Sequence, residues 1–408
     1  MGSTTVFSIL VVRSAAAAMC TGAESDTLPA ARASDDLQRL NTIATTWSRL
    51  CRLCIALLVL PFVSGCWHDA DRSIDRSASF AALGLLPGYL GSEASAVSAD
   101  GRVVAGSSRS RAGLTQAFRW TSPEGLTALG FLPQGSFTTT TAISANGAVI
   151  VGNADGGNPI GLHGFRWTID LGLTQLAGLP NAIVCAANAV SADGSVVAGT
   201  CLAPMNEAFR WTQATGAVGL GRFGTGSNST STATAVSGDG AIIGGAGHPV
   251  LTGAVIWDAS NVPTIIGGLA GDTSGVITAL SRDGTVAAGI SLDAAGHERA
   301  FRWTSTREVV ALDTTGTFVG TIATAISSNG RRITGWGGRE SGPDVAVLWD
   351  ESGALHVVSD LLSDDGKAAS TGWSLTRARG ISADGRVIVG EGIDPDGTAR
   401  GWIVTLSE

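Results

Sequence analysis

Residue types that commonly perform chemistry are few in this 408-residue chain, and their spacing matches no familiar catalytic or metal site. Neither an H-E-x-x-H nor an H-x-x-x-H spacing occurs, so a zinc protease is not expected. The stretches "NADGGN" from Asn153 and "DPDG" from Asp394 look like parts of calcium loops but supply too few acidic ligands. There is no G-x-S-x-G nucleophile motif and no phosphate-binding loop. The sequence therefore assigns no catalytic residue, no metal ligand and no cofactor.

The composition argues against one large class of partners. The formal net charge is −8, and only 15% of the residues are charged. A protein that binds nucleic acid would show a basic stripe, so nucleic acid is not an expected partner. The 56 glycines and the single tyrosine favour short strands that are joined by tight turns.

The segment that ends at Cys66 has the organisation of an export signal. Arg49 and Arg52 precede an apolar run that is too short to span a bilayer. The "VSGC" that follows resembles a bacterial lipobox, in which the cysteine receives a diacylglyceryl group and becomes the first residue after cleavage. We therefore predict lipidation at Cys66. An ordinary signal peptide that happens to end near a cysteine is the alternative.

These features give an expected domain organisation. Residues 1–45 are polar and without a clear pattern, so they either precede the true start of translation or form a disordered leader. Residues 46–65 are the signal peptide, 66–78 a short linker, and 79–408 the repeats described next. Trp67, rather than an aspartate, follows the lipobox cysteine, which points away from inner-membrane retention. We expect an outer-membrane lipoprotein or a secreted protein of a Gram-negative bacterium.

The pattern S-x-[D/N]-G-x-x-x-x-G occurs seven times, and every copy keeps its last glycine. The copies begin at Ser98, Ser144, Ser191, Ser237, Ser281, Ser327 and Ser382. Consecutive copies lie 44 to 55 residues apart, a period typical of propellers and solenoids. The D-G or N-G step suits a type I turn followed by glycine in the left-handed region, and four short apolar segments recur in each unit. Four antiparallel strands repeated around an axis describe a propeller blade, so we predict an all-β, seven-bladed β-propeller.

Each unit also carries a tryptophan at the end of its third segment. These are Trp120, Trp167, Trp211, Trp257, Trp303, Trp349 and Trp402. Their spacing follows the repeat, which favours packing between blades over a set of sugar-stacking residues. An arginine precedes four of them but is replaced by Ile256 and Leu348 in two units, so a structural hydrogen-bonding role is expected for it.

The last unit lacks a fourth segment before the chain ends. The stretch "FAALGLLPG" from Phe80 is similar to the "LTALGFLPQG" that closes the first unit. We therefore predict that the N-terminal strand completes blade seven, which would remove the free sheet edges that invite aggregation.

The combination of S-A-D-G-x-V-V-x-G, A-F-R-W and L-G-x-L-P-x-G resembles the HAF-repeat family of bacterial extracellular proteins. The resemblance covers residues 80–408, and the closing "GISADGRVIVGEGIDPDGTARGWIV" is similar to the usual end of that family. It implies an exported repeat protein of undefined activity and brings no catalytic residues with it. The fourth and sixth units depart most, with "AVIW" and "AVLW" in place of "AFRW".

Two cysteines, Cys185 and Cys201, lie within the repeats. If Ser191 and Ser195 flank the hairpin loop, residue 189 pairs with 197, 187 with 199, and 185 with 201. The two thiols then lie directly opposite each other, and an exported domain meets an oxidising compartment. We predict a disulfide, with two free buried thiols as the alternative.

Loop lengths indicate where binding should occur. The loops between the second and third segments and the connections between units vary in length, and in a four-stranded blade both lie on one face. Variable loops on a rigid scaffold commonly carry binding sites. His163, His248 and His297 fall in such loops of different units, where solvated side chains are expected rather than a shared metal.

We expect a binding module for an extracellular protein or glycan, with a hydrolase or lyase acting on polysaccharide as the alternative, because fold analogy cannot choose between them. Acidic residues and histidines at the central channel would favour the enzyme, and an uncharged, aromatic-lined face would favour the binding module. We expect a monomer that meets the membrane only through its lipid.

The connection between Trp349 and Ser382 is nine residues longer than most of its counterparts. It contains "DLLSDDGKAASTGW", which holds the charged residues Asp364, Asp365 and Lys367, and also Trp373. An aromatic side chain beside charged groups is typical of recognition surfaces. We predict a mobile polar binding loop on the variable face. The alternative is a solvated insertion with the tryptophan packed beneath it.

Overall fold

The computed structural model describes residues 77–407, except residues 158, 160, 203–204, 224–228 and 249–252. Over these residues, seven four-stranded antiparallel sheets form the blades of a β-propeller, and the predicted fold is confirmed. No helix in this part of the chain is long and apolar enough to cross a membrane. The predicted signal peptide and Cys66 lie outside the described residues.

Blades 1 to 3 each use four consecutive strands. Those of blade 1 are β2 (Tyr89–Val97), β3 (Val103–Ser110), β4 (Thr115–Thr121) and β5 (Gly125–Ala128). Those of blade 2 are β6 (Thr138–Ile143), β7 (Val149–Gly156), β8 (Gly161–Thr168) and β9 (Gly172–Gln175). Those of blade 3 are β10 (Val184–Val190), β11 (Val196–Leu202), β12 (Asn206–Thr212) and β13 (Gly216–Gly219).

Blades 4 to 6 repeat this arrangement. The strands of blade 4 are β14 (Thr230–Val236), β15 (Ile243–His248), β16 (Gly253–Trp257) and β17 (Pro263–Gly267). Those of blade 5 are β18 (Ser274–Leu280), β19 (Val286–Leu292), β20 (Glu298–Thr304) and β21 (Arg307–Ala311). Those of blade 6 are β22 (Gly320–Ile326), β23 (Ile333–Gly338), β24 (Val345–Trp349) and β25 (Leu355–Val357).

Blade 7 is closed by the two ends of the chain, as predicted. Its strands are β26 (Ser374–Ile381), β27 (Val387–Ile393), β28 (Ala399–Thr405) and, at the outer edge, β1 (Ser79–Ala82). Ser79 pairs with Thr405, and Ala82 pairs with Trp402. The first strand therefore supplies the missing fourth strand of the last blade.

The repeated serine loops join the first and second strands of every blade, and their face of the propeller is called the serine-loop face below. In blade 1 the Ser98 hydroxyl donates to Asp100 Oδ1 at 2.6 Å and accepts from the Val103 amide at 3.0 Å. Gly101 lies in the left-handed region at φ +75°, as the turn requires. The serine and the Asp or Asn of the motif are thus explained by local hydrogen bonding, and the first glycine by its left-handed backbone conformation.

The residue after each motif serine links its blade to the next. Its backbone amide donates to the carbonyl of the equivalent residue in the following blade at 2.8 to 3.0 Å. The seven residues, in order, are Ala99, Ala145, Ala192, Gly238, Arg282, Ser328 and Ala383, and the amide of the last donates to the carbonyl of the first. This closed ring of seven hydrogen bonds ties the serine loops together around the central axis, and it explains why their length is constant.

The last glycine of the motif faces a β-bulge in the innermost strand. Every first strand shifts register by one residue at the same point, for example between Ala94 and Ala96 in blade 1. A Cβ atom on the facing glycine would overlap the carbonyl oxygen of a residue just before the bulge, Glu93 for Gly106 and Ile322 for Gly335. The same overlap occurs in all seven blades, so only glycine fits this position.

The core consists of seven hydrophobic clusters, each of which joins two neighbouring blades. The repeated tryptophans take part in these clusters, which confirms the packing role. Trp257, Trp349 and Trp402 are fully buried. Trp402, however, faces the motif glycine Gly390, the position that Phe118 occupies in blade 1, so the alignment of this tryptophan with the other six was wrong.

The long connection between blades 6 and 7 is a folded element rather than the mobile loop that we predicted. It contains a 3-10 helix (Val358–Leu361) and a short α-helix, α1 (Asp364–Ala369). The Ser363 amide donates to the carbonyl of Ala78, directly before β1, and Trp373 packs edge-on against Phe80 with ring centroids 5.1 Å apart. The segment therefore lies along the closing strand, because its apolar residues join the core cluster between blades 6 and 7.

Candidate binding site between blades 7 and 1

Equivalent positions in the seven blades can be compared directly because the register repeats. One such set is called the rim pairs. Each pair consists of the first-strand residue two positions before the bulged residue and the second-strand residue that follows the motif glycine. The rim pairs of blades 1 to 7 are Glu93 with Ser107, Thr139 with Asn153, Ala186 with Thr200, Thr232 with Ala246, Val276 with Ile290, Ile322 with Trp336, and Arg377 with Glu391. Only blades 7 and 1, which are neighbours, carry charged rim residues.

The bulged residue, two positions after the first-strand rim residue, shows the same contrast. In most blades it is a small polar residue that crosses to the neighbouring blade: the Thr141 hydroxyl donates to the Ala187 carbonyl at 2.9 Å, and the Asn188 amide donates to the Ala233 carbonyl at 2.7 Å. In blade 7 it is Arg379. In blade 7 a charged side chain therefore takes the position from which other blades form a hydrogen bond to their neighbour.

The charges form a connected network. Arg377 Nε donates to Asp344 Oδ2 at 2.7 Å, and Arg379 Nη2 donates to Glu391 Oε1 at 2.8 Å. Arg377 Nη1 also lies 3.4 Å from Glu391 Oε1, so two guanidinium groups share this carboxylate. Both guanidinium groups lie close to the Trp336 ring, at 5.1 and 5.8 Å from its centroid, where cation–π attraction adds to the ion pairs.

Glu93 extends the network into blade 1. Burial raises the pKa of its carboxyl above the ordinary value, since the charged form loses hydration. Arg379 and Arg109 oppose this shift, whereas the neighbouring Glu391 carboxyl raises the pKa of Glu93 further, because two close carboxylates repel each other when both are charged.

A cleft of about 370 Å³ opens beside this pair, between blades 7 and 1. Glu93, Glu391, Ser108 and Arg109 line it. Ser108 is 1% exposed, and its hydroxyl has no hydrogen-bond partner among the described residues. Arg109 is exposed, and within the described ranges no carboxylate lies within ion-pair distance of its guanidinium group. The cleft therefore brings together a buried hydroxyl without a hydrogen-bond partner, the carboxyls of Glu93 and Glu391, and the guanidinium of Arg109, which attracts the Glu93 carboxyl.

The structure places the predicted binding residues elsewhere. Asp364, Asp365 and Lys367 are exposed on α1, and Trp373 is half-buried against the closing strand. None of the four lines the cleft between blades 7 and 1. Their role in binding stays a prediction.

Cys185 and Cys201 lie opposite each other in β10 and β11 and are joined by a disulfide, with Sγ atoms 2.06 Å apart. The expected pairs 185 with 201 and 187 with 199 occur, but Ala189 pairs with Ala198, so that part of the predicted register was wrong. Ser191 and Val196 close the loop, which is one residue longer than assumed, and the bulge at Asn188 restores the register. The linkage in solution stays a prediction.

The repeated arginines and the three histidines have other surroundings. His163 lies in β8 and His248 is the last residue of β15, so the predicted loop position is found for His297 and was wrong for the other two. Arg166 donates to the Gly194 carbonyl of the next blade, and Arg210 donates to the Ala241 carbonyl at 3.0 Å, as expected for a structural role. His163 lies 2.7 Å from the Pro159 carbonyl and His297 lies 3.0 Å from Asp293 Oδ2. Within the described ranges, no three His, Cys, Asp or Glu side chains are grouped so as to hold a metal ion.

The rim pairs of blades 7 and 1 were missed at the level of sequence, although a signal for them was present. When the seven first strands are aligned on the bulge, "GSEASAV" and "LTRARGI" are the copies with charged residues, against uncharged copies such as "TSTATAV" and "GTIATAI". Charge in a strand that five other copies keep uncharged indicates a local function. That these two strands adjoin follows only from ring closure.

No protein-family model and no curated protein matches this chain. Among solved structures it is similar to TolB from Acinetobacter baumannii, at 13% identity and a TM-score of 0.41, over 64% of this chain and 64% of that protein. It is also similar to a protein assigned as TolB from Agrobacterium tumefaciens, at 14% identity and a TM-score of 0.46, over 79% of this chain and all of that one. The chain thus spans slightly less than two thirds of the Acinetobacter protein. Neither likeness contributes to the assignment of a site or a partner.

Proposed function

We propose that this chain is an exported propeller of the HAF-repeat type that binds an extracellular protein or a glycan through its variable face, at the charged rim of blades 7 and 1. The observation that carries the proposal is the break in the repeat. Five blades keep uncharged rim pairs, whereas the two neighbouring blades that flank the cleft carry Glu93, Arg377 and Glu391. Charged groups that the fold does not need, beside a cleft, are expected where a ligand is recognised.

A binding role is preferred over the hydrolase or lyase alternative, for which we expected acidic residues together with histidines. Among the described residues that line the cleft, Glu93 and Glu391 are acidic but none is a histidine. Glu391 is also paired with Arg377 and Arg379.

We also propose that Cys66 carries the lipid that attaches the protein to the outer membrane, and that the monomer meets the membrane through that lipid alone. A Cys66→Ala variant should leave the membrane fraction and lose labelling by a fatty-acid probe. A wild-type protein found entirely in the soluble fraction, without label, would contradict lipidation.

The binding proposal is tested with glycan and peptide arrays probed by the purified protein. We expect a defined set of ligands for the wild type, and loss of that binding in a Glu93→Gln/Arg379→Gln variant. The matched control is Thr139→Ala, which changes the equivalent rim position of blade 2. Replacing Asp364, Asp365 and Lys367 together tests the other predicted surface. Binding that survives the rim variant but is lost in this triple variant would move the site to the insertion beside β1.

A further inference from the structure

The ring residue that follows each motif serine departs from alanine in three consecutive blades. Blades 1, 2, 3 and 7 have alanine at this position, whereas blades 4, 5 and 6 have Gly238, Arg282 and Ser328. The backbone amides and carbonyls of these three residues still belong to the closed ring of hydrogen bonds, so the ring itself does not require the change. Departures from a repeat that lie side by side indicate a local role on the serine-loop face.

Gly238 and Arg282 fit each other sterically. A Cβ atom at Gly238 would lie 2.6 Å from Arg282 Cγ and 3.0 Å from the Arg282 carbonyl oxygen. The φ angle of Gly238 does not lie in the left-handed region, so its backbone conformation does not demand glycine. The glycine therefore gives the stem of the Arg282 side chain the space to lie against the neighbouring loop of blade 4.

Arg282 has no ion-pair partner. Its side chain is exposed, and in the part of the chain that the structure describes no carboxylate lies within ion-pair distance of its guanidinium group. Asp239 and Asp283 lie beside a neighbouring depression. Each of these carboxylates accepts from the motif serine of its own loop, at 2.6 and 2.7 Å. The guanidinium therefore attracts an anion, and the two aspartates disfavour an anion that carries a second negative charge.

A cavity of about 180 Å³ lies on the central axis at this ring. Residues from all seven blades line it, and among these described residues Arg282 is the only charged one. The Ser328 side chain adds a hydroxyl beside the arginine. Half-buried aliphatic side chains also line the cavity, and they include Ile143, Val190 and Ile326. The cavity therefore suits a small group that combines a single negative charge with an apolar side chain.

We propose that this axial cavity binds the C-terminus of a partner polypeptide, with Arg282 and the Ser328 hydroxyl on the terminal carboxylate and the last side chain against the aliphatic residues. Arginine suits the task because its planar fork donates two parallel hydrogen bonds to a carboxylate. The end of a chain is favoured over its middle because the ring amides already donate to ring carbonyls. A peptide backbone laid across the ring would find no donors there.

The test uses a library of tetrapeptides that are immobilised through their N-termini and end in a free carboxylate. The purified wild-type protein should bind members that end in an aliphatic residue. The same library with C-terminal amides keeps every side chain but loses the terminal charge, so binding should be at least about ten-fold weaker, a difference of about 1.4 kcal/mol. Free propanoate should not displace the peptides at a concentration at which a soluble library member does.

The variants use a matched pair of arginines. Arg282→Gln should weaken peptide binding at least about ten-fold. Arg102→Gln changes an exposed arginine in the serine loop of blade 1 that does not line the cavity, and it should stay within about two-fold of the wild type. Both positions are exposed, so both variants should keep the wild-type melting temperature. Gly238→Ala changes no charge but displaces the Arg282 side chain, and it should also weaken binding.

Four outcomes would overturn the inference. They are absence of binding to the free-carboxylate library, equal binding of acids and amides, displacement by propanoate as effective as by a peptide, and equal losses in Arg282→Gln and Arg102→Gln. The proposed function fails separately, because the charged rim lies on the opposite face. The Glu93→Gln/Arg379→Gln variant should keep its binding to the library. If that variant loses the peptides and Arg282→Gln keeps them, the rim is the binding site and only the axial assignment is wrong.

Discussion

The two ends of the innermost strands differ in how strictly they repeat. At the serine-loop end, seven equivalent backbone hydrogen bonds form a closed ring, and each loop keeps its serine, its Asp or Asn and its glycine. At the opposite end the rim pairs differ between all seven blades, and those of blades 7 and 1 are charged. The serine-loop end is constrained because each blade must form the same hydrogen bond to the next one. The opposite end makes no such repeated bond, so its residues can differ between blades and can include functional groups.

The charged rim also coincides with the place where the chain closes on itself. Blade 7 is held by β1, and the connection that contains α1 lies along this strand through Ala78 and Phe80. The cleft therefore depends on a junction between distant parts of the sequence.

Removal of the closing strand should have the largest effect. Deleting residues 79–88 exposes the edge of β28 and removes Phe80 and Leu83 from two core clusters. We expect a loss of about 5 kcal/mol or more in the free energy of unfolding, a large part of the stability of a typical domain, measured by urea unfolding. Ala81→Ser is the control, since Ala81 is exposed and its backbone pairing is unchanged. Unchanged melting of the deletion variant would contradict closure by β1.

Substitution of a motif glycine that faces a bulge should have the next largest effect on stability. Gly335→Ala forces a Cβ atom onto the Ile322 carbonyl, so we expect a loss of about 3 kcal/mol in the free energy of unfolding. Gly338→Ala lies in the same strand, where the nearest atoms to the new Cβ are 3.9 Å away, and it should change stability by less than about 1 kcal/mol. Equal effects of the two substitutions would show that the close approach at the bulge is not the reason why all seven units keep this glycine.

The disulfide should contribute somewhat less to the free energy of unfolding than the motif glycine does. Cys185 and Cys201 enclose a hairpin with a sequence separation of 16 residues, and a loop of about this size gives about 2–3 kcal/mol. Mass mapping of unreduced peptides should recover the two cysteines linked, and a Cys185→Ala/Cys201→Ala variant should unfold at lower urea. Alkylation of both thiols without reductant would rule the bond out.

The smallest effect should come from the serine loops and should depend on pH. The Ser191 hydroxyl and then the Ser195 amide hydrogen-bond to Asp193 and hold the pKa of its carboxyl below the ordinary value of 3.8. A lowered folded-state pKa stabilises the fold above pH 3.8, and this contribution is lost as the pH falls through the folded value. Stability should therefore decline below about pH 4, as the loop aspartates become protonated.

Asp193→Asn tests this interpretation with a residue that the protein already uses at Asn146 and Asn329. In the loop of blade 2, Asn146 accepts from the Ser144 hydroxyl and the Ala148 amide, the same bonds that the aspartates accept. The variant should match the wild type at pH 7 within about 0.5 kcal/mol and lose less stability in urea unfolding near pH 3. An identical acid response in both proteins would show that this carboxylate does not contribute.

In the disulfide hairpin, the sequence predicted the pairing of the cysteines but not the length of the loop or the bulge. The loop of blade 3 is one residue longer than the motif suggested, and the bulge at Asn188 adds one residue to the opposite strand. The two errors cancel, so Cys185 still lies opposite Cys201. A bulge leaves little trace in the sequence beyond the glycine that faces it, because it is defined by pairing between strands.

The sequence by itself determined the number of blades, the strand that closes them and the residues of the serine loops. These features depend on local turn chemistry and on a regular period, and both are visible in the order of the residues alone. The tertiary structure decided three other features: the ring of hydrogen bonds, the folding of the insertion against β1, and the cleft. Each of these depends on groups from strands that are far apart in sequence. Glu93 and Glu391 are 298 positions apart (391 − 93) and meet only because the ring closes.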